Sequence, residues 1–235
     1  MFKETDLYLP IKAFLEGKGY TVKSEIKGCD IVASIDDDLV VIELKKGFTL
    51  DLVLQGVERK SITDYVYLAI PRPKSIKGNR WRKIVKLCRM LSLGLIIVAF
   101  KDTETFVEVA VEPGKYTPQI NKKKQANVSK EFNGRITDFN LGGSTKTPIL
   151  TAYKENALII SLFLKERGPT QLKDIKAETG IEKAGQILGS NVYNWYKRVK
   201  TGVYDITDKG IEGLVAYDHA MEYLKKGSIK QEVEK

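Results

Sequence analysis

The chain has 235 residues, 43% hydrophobic and 29% charged, with 39 Lys and Arg against 30 Asp and Glu for a formal net charge of +9. That length and balance fit a globular protein with a full core, in one large domain or two modest ones, and the basic excess favours a polyanionic partner. Cys29 and Cys88 are too few for a disulfide framework or a zinc site. No signal-peptide pattern opens the sequence, and no apolar run approaches the roughly 18 residues of a membrane span, so the expected location is the cytoplasm.

In chain order, Thr5 can cap a helix reaching Gly17 with Leu7, Ile11, Phe14 and Leu15 on one face. Glu4 stands at the head of that face, and Pro10 either bends the helix or delays its start. Residues 20–27 read as a strand. Two apolar runs, 29–35 and 39–45, flank Asp36, Asp37 and Asp38, which break strands and accept turn geometry, so the three strands form an antiparallel meander. Residues 50–60 are helical by pattern, with Leu52, Gln55 and Arg59 sharing a face. A strand at 65–70 stops at Pro71 and Pro73. A helix over 80–93 turns Ile84, Leu87, Cys88 and Leu91 inward and Arg82, Lys83, Lys86 and Arg89 outward. Strands at 95–100 and 106–111 complete an α/β (α+β) domain over residues 1–112.

From 113 to 148 apolar periodicity is lost, and seven basic residues face two acidic ones, which marks a basic connector containing Lys122, Lys123 and Lys124. Residues 149–226 then read as three helices and a turn. The first is 152–166, the second 171–178, and the third starts at Ile181 and carries Ile187, Leu188, Val192, Trp195, Tyr196 and Val199. A wing follows around Gly202 to Thr207. Helix, helix, helix, wing is the order of a winged helix-turn-helix. A polar tail is expected at 227–235.

Charges inside the hairpin strands carry the chemistry. Side chains alternate faces along a strand, so Glu43 and Lys45 share one face while Ile42 and Leu44 share the other. A two-residue loop at Asp36-Asp37 pairs residues whose numbers sum to 73 and sets Asp30 opposite Glu43. A four-residue loop sets it opposite Lys45, and a three-residue loop loses the phase unless a bulge restores it. Two carboxylates at one point repel unless a divalent cation lies between them, and Mg²⁺ suits oxygen ligands, with the Leu44 carbonyl as a further one. The plainer alternative is an ion pair of Lys45 with Asp30 or Glu43.

This arrangement resembles the PD-(D/E)XK nuclease superfamily. Asp30 matches the acid that starts one strand, and Glu43-Leu44-Lys45 matches the tripeptide on the next; Cys29 stands where the motif has proline. Glu4, with Asp6 as competitor, looks like the acid of the first helix. Gln55 looks like the glutamine that RecB-like members carry on the following helix, while Arg59 occupies their tyrosine position. The wider chain, including Asn191-Val192-Tyr193-Asn194-Trp195-Tyr196, resembles a bacterial family of PD-(D/E)XK phosphodiesterases with no established substrate. The resemblance implies a restriction-endonuclease-like mixed sheet flanked by helices, followed by the winged helix. It implies Mg²⁺- or Mn²⁺-dependent phosphodiester hydrolysis, with metal on Asp30, Glu43 and Leu44, Lys45 orienting water, and Gln55 and Glu4 in support. The expected function is a deoxyribonuclease, with a catalytically inactive DNA-binding regulator and an RNA-processing nuclease as alternatives. Asn191, Asn194, Lys197, Arg198, Lys200 and the three connector lysines are the expected DNA contacts. Cutting two strands needs two active sites, so a homodimer is expected.

Overall fold

Two tight turns set the register of everything that follows. Lys27 and Gly28 have φ of 52° and 78°, the positive values that a type I′ hairpin requires at both central residues. They join β1 (Thr21–Ile26) to β2 (Cys29–Ile35) in antiparallel pairing. Asp36, at φ 50°, turns β2 into β3 (Asp38–Leu44), and the pairs Ile35↔Asp38 through Ile31↔Ile42 all sum to 73. The even, two-residue loop is therefore the one realised. In the computed structural model, residues 3–101, 104–145 and 148–224 are described, and the chain divides into two compact units, Met1–Gln119 and Ile120–Lys235.

In the first unit, β4 (Tyr65–Pro71) and β5 (Gly94–Phe100) continue the sheet parallel to β3, and β6 (Thr105–Val111) closes it antiparallel, in the order β1-β2-β3-β4-β5-β6. A 3-10 turn (Glu4–Leu7) and α1 (Tyr8–Glu16) cover one face, where Leu7, Ile11 and Leu15 meet Ile31, Ala33, Val40 and Ile42. Pro10 lies in the first turn of α1, where a missing N–H removes no helical bond, so the helix simply starts later than Thr5 suggested. The opposite face carries α2 (Leu50–Arg59), capped by the Thr49 hydroxyl, and α3 (Asn79–Met90). Leu87, expected inward, is 39% exposed, while Cys88 is buried. This six-stranded mixed sheet flanked by helices fits the restriction-endonuclease-like architecture. Because β3, β4 and β5 are parallel, their C-terminal ends lie at one end of the sheet, together with the start of β2.

Glycine sets one close approach. A Cβ on Gly56 of α2 would stand 2.5 Å from Leu68 Cδ2 on β4, so the helix lies directly on the sheet at the level of Glu43, the β3 partner of Leu68.

The second unit contains α4 (Lys122–Gly134), α5 (Ala152–Arg167), β7 (Thr170–Gln171), α6 (Leu172–Thr179), α7 (Ala184–Ser190), β8 (Tyr196–Lys200), β9 (Val203–Ile206) and α8 (Asp208–Ala216). The strands form an antiparallel sheet in the order β7-β9-β8. Helix α4 was not expected: it falls within the basic connector, buries no residue, and so leaves no apolar stripe to read. Its exit is fixed by the wholly buried Glu155, whose carboxylate accepts from Ile136 N, Thr137 N and Thr137 Oγ1. The boundary between the units thus falls inside the expected connector. The expected third helix is also corrected. It ends at Ser190, because Asn191 and Asn194 adopt φ of 41° and 57°, and Tyr196 to Lys200 run as a strand. The expected tail at 227–235 lies outside the described residues. Among the described residues no helix is long and apolar enough to cross a membrane.

Candidate active site

Regular pairing between β2 and β3 stops at Ile31↔Ile42, and a side chain takes over. Leu44 N donates to Asp30 Oδ2 at 2.7 Å, so a carboxylate replaces the strand carbonyl that would otherwise accept it. The N–H and C=O of one strand residue point to the same edge, so the Leu44 carbonyl also faces the β2 side, at the mouth between the strands. On its other edge β3 stays in the sheet, with Lys45 N donating to Ala69 O.

Glu43 is wholly buried beneath α2. Arg59 Nε donates to its Oε1 at 2.6 Å, and the other end of the guanidinium donates to Gly28 O at 2.5 Å, locking α2 to the β1–β2 turn. Among the described residues Glu43 Oε2 is buried with no hydrogen-bond partner, as is Gln55 Oε1. Burial pushes the Glu43 carboxyl above the usual carboxylate range; the Arg59 hydrogen bond opposes this, and the neighbouring Asp30 charge adds to it. Burial likewise raises the Cys29 thiol, which packs on this same layer.

The geometry converges Asp30, Glu43 and the Leu44 backbone at the open end of the hairpin. Glu4 approaches from the 3-10 turn, accepting from Lys46 N at 3.4 Å. Among the described residues, no three His, Cys, Asp or Glu side chains converge as a metal cluster, so Glu4 stands apart from the acid pair. Lys45 forms no ion pair among the described residues; the cation on Glu43 is Arg59 instead. Arg59 is the residue that sequence reasoning missed as a contact, although its place one turn after Gln55 on the same face of α2 was visible. The donor set fits a divalent cation: a buried carboxylate oxygen has no hydrogen-bond donor among the described residues, a second carboxylate is adjacent, and Mg²⁺ typically takes one or two carboxylates while keeping waters.

The family model described as "Putative PD-(D/E)XK phosphodiesterase (DUF2161)" matches residues 96–213, half of the chain. The chain belongs to that family. Neither a curated protein nor a solved structure matches it. In this PD-(D/E)XK chain the matched segment runs from β5 to α8, so Asp30, Glu43 and Lys45 lie before it and are placed by the sheet geometry alone.

The expected DNA contacts separate in kind. The Asn191 amide is engaged at both ends, donating to Tyr196 O at 2.7 Å and accepting from Tyr196 N at 3.1 Å, so it builds the turn into β8 instead of presenting a free edge. Asn194 is exposed, and its carbonyl accepts from Thr207 Oγ1. Lys197, Arg198 and Lys200 are exposed on β8, with Lys197 paired to Asp205 across the hairpin. Lys122, Lys123 and Lys124 form the exposed first turn of α4, against the sense of the helix dipole.

Proposed function

We propose that this protein is a metal-dependent deoxyribonuclease that hydrolyses phosphodiester bonds of DNA. The observation that carries this reading is the buried Oε2 of Glu43, with no hydrogen-bond donor among the described residues, beside Asp30 at the end of β3. Asp30, Glu43 and the Leu44 carbonyl would hold Mg²⁺ or Mn²⁺. A divalent ion there supplies neutralisation of phosphate charge and a lowered pKa for bound water. Lys45, two residues beyond Glu43 on the same strand face, orients the attacking water towards phosphorus. Gln55, in the same layer and with an oxygen unpaired among the described residues, accepts a hydrogen bond from that water or from Lys45. Glu4 assists through water.

The second unit supports placement on duplex DNA. The order α5, β7, α6, α7, β8, β9 is that of a winged helix, with β8 and β9 as the wing and Lys197, Arg198 and Lys200 against phosphates. Asn194 remains the amide free to approach a base edge. The lysines of α4 add phosphate contacts, and a homodimer would supply the second active site for a double-strand cut.

The test is plasmid cleavage in Mg²⁺ or Mn²⁺. Wild type is expected to cut, and Glu43→Gln and Lys45→Ala to lose about 100-fold or more in rate. If wild type binds DNA yet cuts no methylated, unmethylated or branched substrate in either metal, the protein is a regulator and the hydrolytic reading fails.

A further inference from the structure

Between Asp64 and Asp102 the sequence contains no Asp or Glu. Within that stretch Lys74 and Lys77 lie in the loop after β4, and Arg82, Lys83, Lys86 and Arg89 on the outward arc of α3; all six are exposed. Among the described residues none of the six takes part in a salt bridge. Helix stability accounts for Arg89 alone, a cation in the last turn of α3. Cations in the first turn oppose the macrodipole, and Arg82 and Lys86 repel at i,i+4 spacing. The cations also line a concavity: Arg82, Lys86 and Arg89 share a groove of about 340 Å³ with Trp81, Val85 and Tyr116.

The loop before α3 begins at the acid-pair end of the sheet, while α3 itself packs on β5 and β6. The loop carrying Lys74 and Lys77 leaves the C-terminal end of β4, the immediate neighbour of β3, at the end of the sheet where Lys45 follows Glu43. Helix α3 then runs back to deliver the chain to Gly94 at the opposite end, a length of about 18 Å. It lies on the same sheet face as α2, the face of Glu43, Gln55 and Arg59.

We infer that α3 and the loop before it bind a single strand of DNA, with backbone phosphates on Arg82, Lys86 and Arg89 and a base against Tyr116, and lead that strand to Asp30 and Glu43. This rests on the hydrolytic reading above for its direction, and it adds that the substrate presents an unpaired strand to the first unit. Cations tracking a backbone beside an aromatic platform are how single strands are held without sequence preference.

The experiment is fluorescence anisotropy of labelled oligo(dT) and of a blunt duplex, with the full chain in EDTA so that no cutting occurs. The triple variant Arg82→Ala/Lys86→Ala/Arg89→Ala is expected to bind oligo(dT) at least about tenfold more weakly, with the slope of log affinity against log salt reduced by about 2, at roughly 0.7 per phosphate contact. Tyr116→Ala is expected to weaken binding about tenfold with the salt slope unchanged, because stacking releases no counterions. Circular dichroism and thermal melting of the variants, all altered at exposed positions, are expected to match wild type. Unchanged affinity and slope in the triple variant overturn the inference. So does a loss confined to the duplex, or a loss of binding to phosphatidylserine vesicles with oligo(dT) binding intact. Binding in EDTA is independent of hydrolysis, so a wild type that binds through this track but never cuts defeats the nuclease reading alone, and a cutting enzyme indifferent to the triple variant defeats the track alone.

Discussion

The Arg59–Glu43 pair is the residue-scale fact on which the site turns. Glu43 is fully buried and the Arg59 side chain is 15% exposed, so removing the guanidinium leaves an uncompensated charge in the interior. Arg59→Ala is expected to cost about 3–5 kcal/mol at pH 8 in metal-free buffer, measured by urea unfolding. The sign of its pH dependence follows from the raised Glu43 pKa. The fold favours the protonated acid, so that contribution is fully present below the ordinary carboxylate range and is lost as pH rises through the raised value. The variant is therefore expected to recover stability relative to wild type on going from pH 8 to pH 5. An equal deficit at both pH values would show that Glu43 is ionised throughout. Asp30 and Glu43 were legible because a two-residue turn fixes strand parity. Their partner was not, because nothing in a sequence says that position 59 reaches position 43 except a shared helix face whose target is set by packing.

At the scale of elements, α2 is held where backbone meets sheet. Alanine at Gly56 would gain up to about 1 kcal/mol in helix propensity, but its Cβ would stand 2.5 Å from Leu68 and 3.3 Å from Leu93. Overpacking of this kind costs about 1–3 kcal/mol, so Gly56→Ala is expected to lower the melting temperature and to displace Gln55 and Arg59 with the helix. A raised melting temperature would mean that α2 has slack against β4. Elements with long apolar runs, such as β4, β5 and α5, were readable from pattern. Helix α4 was not, since it buries nothing and is secured through Glu155 on another helix. The third helix was extended too far because Val192, Trp195, Tyr196 and Val199 satisfy helical spacing. Asn191 and Asn194, the residue type that tolerates positive φ, were the stop signals.

For the whole molecule, cations stand on both units, on α3 in the first and on β8 in the second. If one DNA molecule engages both, alanine replacement of Lys197, Arg198 and Lys200 and the triple α3 replacement should each lower affinity, and their combination should lower it by the product of the two. A combined variant no weaker than the worse single one would mean that the units do not hold the same DNA at once. A DNA fragment with a duplex segment and a single-stranded tail is the probe, and titration at two salt concentrations reads how many phosphates each variant no longer neutralises. The net charge of +9 suggested a polyanion from the outset, but only the fold shows that the cations of 74–89 run from one end of the sheet along a single helix that crosses it.

The hydrogen bond from Leu44 N to Asp30 gives the site a property of its own. Every other amide of β3 that pairs across the sheet is shielded by a neighbouring backbone, whose grip changes only when strands part. The Leu44 amide is shielded by a carboxylate, which swings about a single bond. Its rate of exchange with deuterated solvent therefore tracks the occupancy of Asp30 rather than the integrity of the sheet. A ligand that drew the carboxylate away would unlatch that one proton without unfolding the sheet, so its exchange would register loading of the proposed site.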